Sequence, residues 1–315
     1  MKKKILLFVA PVLAGLLSGA ASAQPEKAPE ALTPVARSEI VQALGASMRT
    51  RYVFPELGQK VATALAAKLK RGGYDAITSP EALQAALTTD LRALGRDSHL
   101  RVRFEPRFRP GPPPGATPPP EELAHMRAAM AERGFGIDGV QRLPGNVGYL
   151  NLRGFFPTAF AAPSISAAMT LLGGTSALIV DLRGNGGGDT QTVAYLLSHL
   201  FAEGHEHHLN DIYNRLDGST RSYWTVSSVG QRYTKPVYVL TGRKTFSAGE
   251  HFAYDIKTQK RGTLIGEVTG GAANPGEYVP LTRGFVAFVP TGRLINPITK
   301  TNWEHVGVTP DLAAP

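Results

Sequence analysis

Ser247 lies in TFSAGEHFAYDI (Thr245 to Ile256), between the apolar run Val237–Leu240 and a stretch with helical periodicity. A serine at a strand-to-helix turn exposes its hydroxyl beside the free N–H groups of a helix N-terminus, which suits acyl transfer with oxyanion stabilisation. The same position also suits a cap, because a serine oxygen can accept from first-turn N–H groups. Upstream, ALIVDLRGNGGGDTQ (Ala177 to Gln191) joins an apolar strand to a helix through glycines between Gly184 and Gly188, where backbone can come close to a ligand. Downstream, NWEHVGVTPDL (Asn302 to Leu312) offers the carboxylate of Glu304. A serine hydroxyl is a poor nucleophile at neutral pH and needs a base in hydrogen-bond reach, oriented by a third group. A second set of chemically able residues, His205, Glu206, His207, His208 and Asp211 in GHEHHLND, lacks the H-E-x-x-H spacing that puts two imidazoles on one helical face. It reads as a polar loop, and no metal or other cofactor is expected.

DLRGNGGG, TFSAGE, LIGEVTGG and HVGVTPD, in that order, resemble the catalytic core of the C-terminal processing peptidases and of the tricorn protease, within roughly Val147 to Leu312, with DSHLR (Asp97 to Arg101) extending the match upstream. The resemblance implies a ClpP/crotonase-like α/β core and a serine peptidase. In the processing-peptidase branch the base is a lysine downstream of the serine, yet no lysine occurs between Lys260 and Lys300. In the tricorn-like branch it is a histidine preceded by a serine, with a glutamate near the end of the core, and Ser98-His99 and Glu304 stand in the matching places. The resemblance thus implies Ser247 as nucleophile, His99 as general acid/base, and Ser98 with Glu304 as the relay. The oxyanion donors are then the N–H of Ala248 and one from Gly187 or Gly188. Modules of the interphotoreceptor retinoid-binding protein share the scaffold and carry hydrophobic ligands, so a non-catalytic binding protein is the alternative.

The elements that must position these residues are legible in outline. Ile40, Leu44 and Met48, then Val61, Leu65 and Leu69, then Leu83, Leu87 and Leu91 form three helical stripes, the last begun by Ser79-Pro80. Residues 24–96 are therefore expected to form a small helical N-terminal domain. HLRVRFEP alternates as a strand, the proline-dense stretch from Phe108 to Glu122 is an extended connection, and EELAHMRAAMAERG is a helix, so 97–145 forms a His-bearing strand, linker and helix. Too few residues separate Arg103 from Val147 for a PDZ domain of ~90 residues. The core, 146–315, should carry strands at Val147–Leu152, Ala177–Leu182, Val237–Leu240 and Thr263–Gly266, and helices near Ala159–Leu172, Thr190–Phe201 and Ala248–Thr258. GEYVPLTRGFVAFVPTGRLINP reads as antiparallel hairpins with turns at Arg283-Gly284 and Thr291-Gly292, its central strand buried on both faces.

Lys2 to Lys4, the apolar run Ile5–Leu17 and Ala21-Ser22-Ala23 have the form of a signal peptide over residues 1–23. The run is short of the ~20 residues that span a bilayer, so no stable membrane insertion is expected. With no cysteine to acylate, the expected location is the periplasm or the exterior. Loss of residues 1–23 lowers the formal charge from +9 to +6, and the remaining basic residues are dispersed, which argues against nucleic-acid binding. The expected partner is a peptide or an unfolded protein end, with the oligomeric state open.

Overall fold

The computed structural model of the protein describes residues 31–111 and 118–315; the expected signal peptide and the middle of the proline-dense stretch lie outside them. The described residues form seven α-helices and twelve strands: α1 (Pro34–Arg51), α2 (Pro55–Lys70), α3 (Pro80–Gly95), β1 (Arg101–Phe104), α4 (Pro120–Ala131), β2 (Ile137–Leu143), β3 (Val147–Leu152), α5 (Thr158–Leu172), β4 (Ala177–Asp181), α6 (Thr190–Ser198), β5 (His208–Asn214), β6 (Thr220–Trp224), β7 (Val237–Thr241), α7 (Ala248–Thr258), β8 (Thr263–Gly266), β9 (Gly276–Pro280), β10 (Phe285–Pro290), β11 (Gly292–Ile295) and β12 (Leu312–Ala313). The fold is mixed α/β, as the alternation of strand and helix patterns predicts.

The first three helices each begin at a proline, whose missing N–H costs nothing at that position. Thr33 and Ser79 cap α1 and α3 by accepting from Ala36 and Ala82 at 3.1 and 3.2 Å. The predicted stripes are buried apart from the half-buried Leu69, and they close not only on one another but on the sheet β1-β10-β9: Val102, Val279, Phe285, Ala287 and Val289 share a core with Ile40, Leu44, Leu65 and Leu87. Each such large apolar side chain contributes roughly 1.5–3 kcal/mol on burial. This packing seats the α3–β1 connection, which carries His99, against strands that come from the far end of the sequence.

The main sheet has the order β12-β8-β7-β4-β3-β2, with β3, β4, β7, β8 and β12 parallel and β2 antiparallel. Its parallel strands are apolar because helices cover them: Leu178, Val180, Val239 and Leu264 are fully buried in one cluster with Val193, Leu197, Phe252 and Ile256. The glycine turn leaves the carboxyl end of β4 and the Ser247 turn leaves the carboxyl end of the adjacent β7, the edge at which α/β sheets place ligands.

Two expectations fail. β10 and β11 do not form a hairpin across Thr291-Gly292; β10 pairs with β1 and β9, and β11 pairs with β5 in a separate sheet. The N–H groups of Thr291 and Gly292 both donate to Pro275 O, at 3.0 and 2.9 Å, so the turn is tied to that loop and the chain passes from one sheet to the other. The segment read as a polar loop is in part β5, which opens at His208: Leu209 and Asn210 are buried, and Asn210 Nδ2 donates to Asp255 at 2.8 and 2.9 Å. A polar residue with a buried partner mimics a loop in sequence and a core position in space.

Candidate active site

Ser247 is the residue before α7 and sits at φ 52°, ψ −117°, a conformation that costs a non-glycine residue roughly 1–3 kcal/mol. Its surroundings hold it there. Glu250, fully buried, accepts from Ser247 N–H at 2.9 Å, and also from Thr269 Oγ1 and Gly271 N at 2.6 Å and Ala272 N at 2.9 Å. Burial pushes the Glu250 carboxyl up, and these four donors pull it back. The spacing Ser247-Ala-Gly-Glu250 is that of a capping box, which is the signal in the sequence for this acid.

The glycine turn clasps the serine turn from the neighbouring strand. Phe246 N–H donates to Asn185 O at 3.0 Å, and Thr245 Oγ1 to Leu182 O at 2.7 Å. Gly187 stands so close that an added Cβ would lie 2.7 Å from Ser247 Cβ and 3.2 Å from Ala248 N. Its own N–H donates to Asn185 Oδ1 at 2.9 Å. Among the described residues, the N–H groups of Gly188 and Ala248 have no acceptor. Of the two glycines in the sequence reading, therefore, Gly188 keeps a free donor and Gly187 supplies the close approach.

His99 is buried between aromatic rings, with Phe246 edge-on at 4.9 Å between centroids and Phe288 stacked at 5.7 Å. Phe246 is the residue before Ser247, so the imidazole lies alongside the serine turn; no hydrogen bond joins the two side chains among the described residues. Burial, with the charges of Arg101 and Arg92 beside it, pushes the imidazole down to about 3, so the ring is neutral at pH 7. The other histidine close in sequence, His251, is held inside the protein by Asn210 and Asp255 and stacks on Trp303.

The acids around His99 differ from the expectation. Ser98 is half-buried and takes part in no hydrogen bond among the described residues. Asp97, 1% exposed, fills the place instead: its Oδ1 accepts from the His99 backbone N–H at 2.9 Å and lies 3.7 Å from His99 Nδ1. The Asp97 side chain thereby closes a turn of two residues over Ser98. Glu304 does reach the cluster, with one polar atom each from Asp97, His99 and Glu304 within 4.8 Å of the others. Its Oε2 accepts from Ala273 N at 2.5 Å and Asn274 N at 3.2 Å, and Asn274 Nδ2 donates to Asp97 Oδ2 at 3.1 Å, linking the two acids. Burial and the neighbouring Asp97 charge raise the Glu304 carboxyl to about 8, and burial raises Asp97 as well. Of the remaining candidate ligands, His208 pairs with Asp211 at 2.8 Å and stacks on Trp224, and His207 packs on Phe201.

Comparison with known proteins gives two family matches, peptidase family S41 over residues 146–314 and the N-terminal domain of that peptidase in eukaryotic IRBP over residues 32–138. The chain is 30% identical over 172 residues to a chloroplastic C-terminal processing peptidase of Tetradesmus obliquus, which covers 53% of this chain and 34% of that protein. It is 30% identical over 170 residues to a chloroplastic carboxyl-terminal-processing peptidase 2 of Arabidopsis thaliana, covering 54% and 32%. The chain thus spans about a third of the length of these relatives. Among solved structures it is similar to a CPAF variant (TM-score 0.63, 12% identity, 89% of this chain and 93% of that one) and to the tricorn protease (0.55, 14%, 89% and 34%). It is also similar to the photosystem II D1 C-terminal processing protease (0.51, 18%, 88% and 92%). At such identities the structures speak for the fold. The sequence match takes in the glycine turn, Ser247, Glu250 and Glu304 and covers more than half of the residues, and on that ground the chain belongs to peptidase family S41.

Proposed function

We propose that the protein is a serine-type peptidase that cleaves peptides or unfolded protein ends through an acyl-enzyme on Ser247. The observation that carries the reading is the strained Ser247 turn, clasped by Gly187 of the glycine turn, followed by the unoccupied N–H of Ala248, and preceded by Phe246, whose ring packs on the neutral imidazole of His99. Ser247 Oγ attacks the substrate carbonyl as His99 takes its proton, and the oxyanion gathers the N–H groups of Ala248 and Gly188. Asp97 and Glu304 steady the imidazolium, which then protonates the leaving amine; water, activated by the same ring, releases the acyl group. The serine–imidazole contact closes when substrate binds, as catalytic hydrogen bonds in free enzymes often do. The signal-like residues 1–23 support action in the periplasm or outside the cell. No helix among the described residues is long and apolar enough to cross a membrane.

The test is reaction of the mature protein and of Ser247→Ala with a fluorophosphonate, read by intact mass. One adduct on the wild type and none on the variant is the expected result. A folded wild type that takes up no adduct would overturn the reading in favour of a ligand-binding protein on the same scaffold.

A further inference from the structure

The space beside His99 is lined by buried polar atoms without partners. Nδ1 of His99 and Oε1 of Glu304 are both buried and unpaired, and Asp97 Oδ1 lies 3.7 Å from that Nδ1. His305 stands at the outer side: its Nδ1 is 3.6 Å from Glu304 Oε1 while its side chain is 47% exposed. The His305 backbone is held at φ 68° with its N–H on Gly271 O at 3.0 Å, a left-handed position that histidine takes more readily than most non-glycine residues. Among the described residues, neither Asp97 nor Glu304 pairs with a lysine or arginine; their hydrogen-bond donors are backbone N–H groups, Asn274 and Tyr52. Two buried carboxyls whose basic neighbours are histidines alone require a cation among them, which is either a proton or a metal ion.

We propose that Asp97, His99, Glu304 and His305 form a zinc site that switches the peptidase off; the switching rests on the function proposed above, while the site itself does not. Two imidazoles and two carboxylates are a donor set that zinc takes in tetrahedral geometry, and magnesium and calcium, which prefer oxygen, do not. Zinc–ligand bonds are ~2.0–2.2 Å, so Asp97, His99 and Glu304, whose ligand atoms lie within 4.8 Å of one another, must draw in by roughly an ångström, and the His305 ring, 3.6 Å from Glu304 Oε1, must swing onto the ion as the fourth donor. The exposed His305 ring gives the ion its way in. Zinc on Nδ1 leaves the single ring proton of His99 on Nε2, so the imidazole has no lone pair with which to accept the serine proton. Zinc binding also displaces the proton held by the carboxyl pair, which leaves to water.

The experiment is zinc titration of Ser247→Ala protein against a chromophoric chelator, with a cobalt(II) absorption spectrum for coordination and circular dichroism for fold. The expected result is one zinc per chain, unaffected by excess magnesium, with affinity reduced at least ~10-fold in Glu304→Gln and in His305→Ala. Absence of stoichiometric binding, or binding untouched by both substitutions as for an ion held by His205, His207 and His208, overturns the site. Fluorophosphonate labelling of the wild type that persists at saturating zinc overturns the switch. A wild type that fails to label without zinc refutes the peptidase reading alone, since the titration decides the site independently.

Discussion

Glu250→Gln isolates the acid that holds the serine turn. The carboxylate accepts four hydrogen bonds, two at each oxygen: Thr269 Oγ1 and Gly271 N at Oε1, Ser247 N and Ala272 N at Oε2. Glutamine preserves the shape, but one oxygen becomes an NH2 group that faces two donors whichever way the amide is turned. Two hydrogen bonds to a charged acceptor are lost, each worth roughly 1.5–3 kcal/mol, so the expected destabilisation is about 3–6 kcal/mol. That is a large part of the 5–15 kcal/mol typical of a folded domain. Guanidinium unfolding at pH 7 measures it, with Glu56→Gln on the exposed face of α2 as the control expected to stay within about 0.5 kcal/mol. Fluorophosphonate labelling should slow in parallel, because the Ser247 backbone loses its anchor. A loss below about 1 kcal/mol at unchanged denaturant dependence would refute the argument that this buried acid fastens Ser247 to the loop of Gly271 and Ala272.

Gly187→Ala is expected to abolish labelling and to cost at least about 2 kcal/mol, since the new Cβ meets Ser247 Cβ at 2.7 Å and the backbone is at φ 102°, whereas Gly186→Ala, with nothing within 4 Å, should be silent in both assays. Asp97→Asn keeps the acceptor for the His99 N–H but removes a charge from beside Glu304; labelling should fall about tenfold or more, and its dependence on pH should shift to lower pH, which an unshifted profile would contradict. Stability should fall with rising pH between 6.5 and 8. Glu304, held up to about 8 from 4.5, gives the folded state an extra proton that is lost as pH rises, while His99, held down to about 3 from 6.5, makes stability rise with pH only up to 6.5. The two oppose each other below 6.5, and above it the Glu304 slope, up to about 1.4 kcal/mol per pH unit, is no longer opposed by His99. Denaturation midpoints at pH 6.5 and 8.5 should differ in the wild type and converge in Glu304→Gln.

Much of this was legible because it is local. Helix stripes such as Leu83, Leu87 and Leu91, the Ser79-Pro80 start and the apolar strands Val147–Leu152 and Thr263–Gly266 follow from spacing and caps over a few residues, and the structure places those elements within a residue or two of expectation. Ser247 stood out because a strand, a small residue and a helix start coincide there. Strand partnership did not stand out. Arg283-Gly284 and Thr291-Gly292 carry the same turn chemistry, yet only the first closes a hairpin, since the second is tied to Pro275.

Side-chain periodicity and backbone preference within single stretches of chain are enough to set the α/β class, the order of the elements and the segments from which the site is drawn. Packing across the fold is what brings Asp97 rather than Ser98 against His99, sets Asn185 on the Gly187 N–H while that of Gly188 stays free, and links Asp97 to Glu304 through Asn274. The Asn274–Asp97 bond closes across 177 positions, whereas Asp97 to the His99 N–H and Asn185 to the Gly187 N–H each close over two, where spacing alone does not choose the residue that turns inward. Adjacent residues in a loop have the same reach, and which one turns inward is settled by the donors that packing brings to meet it.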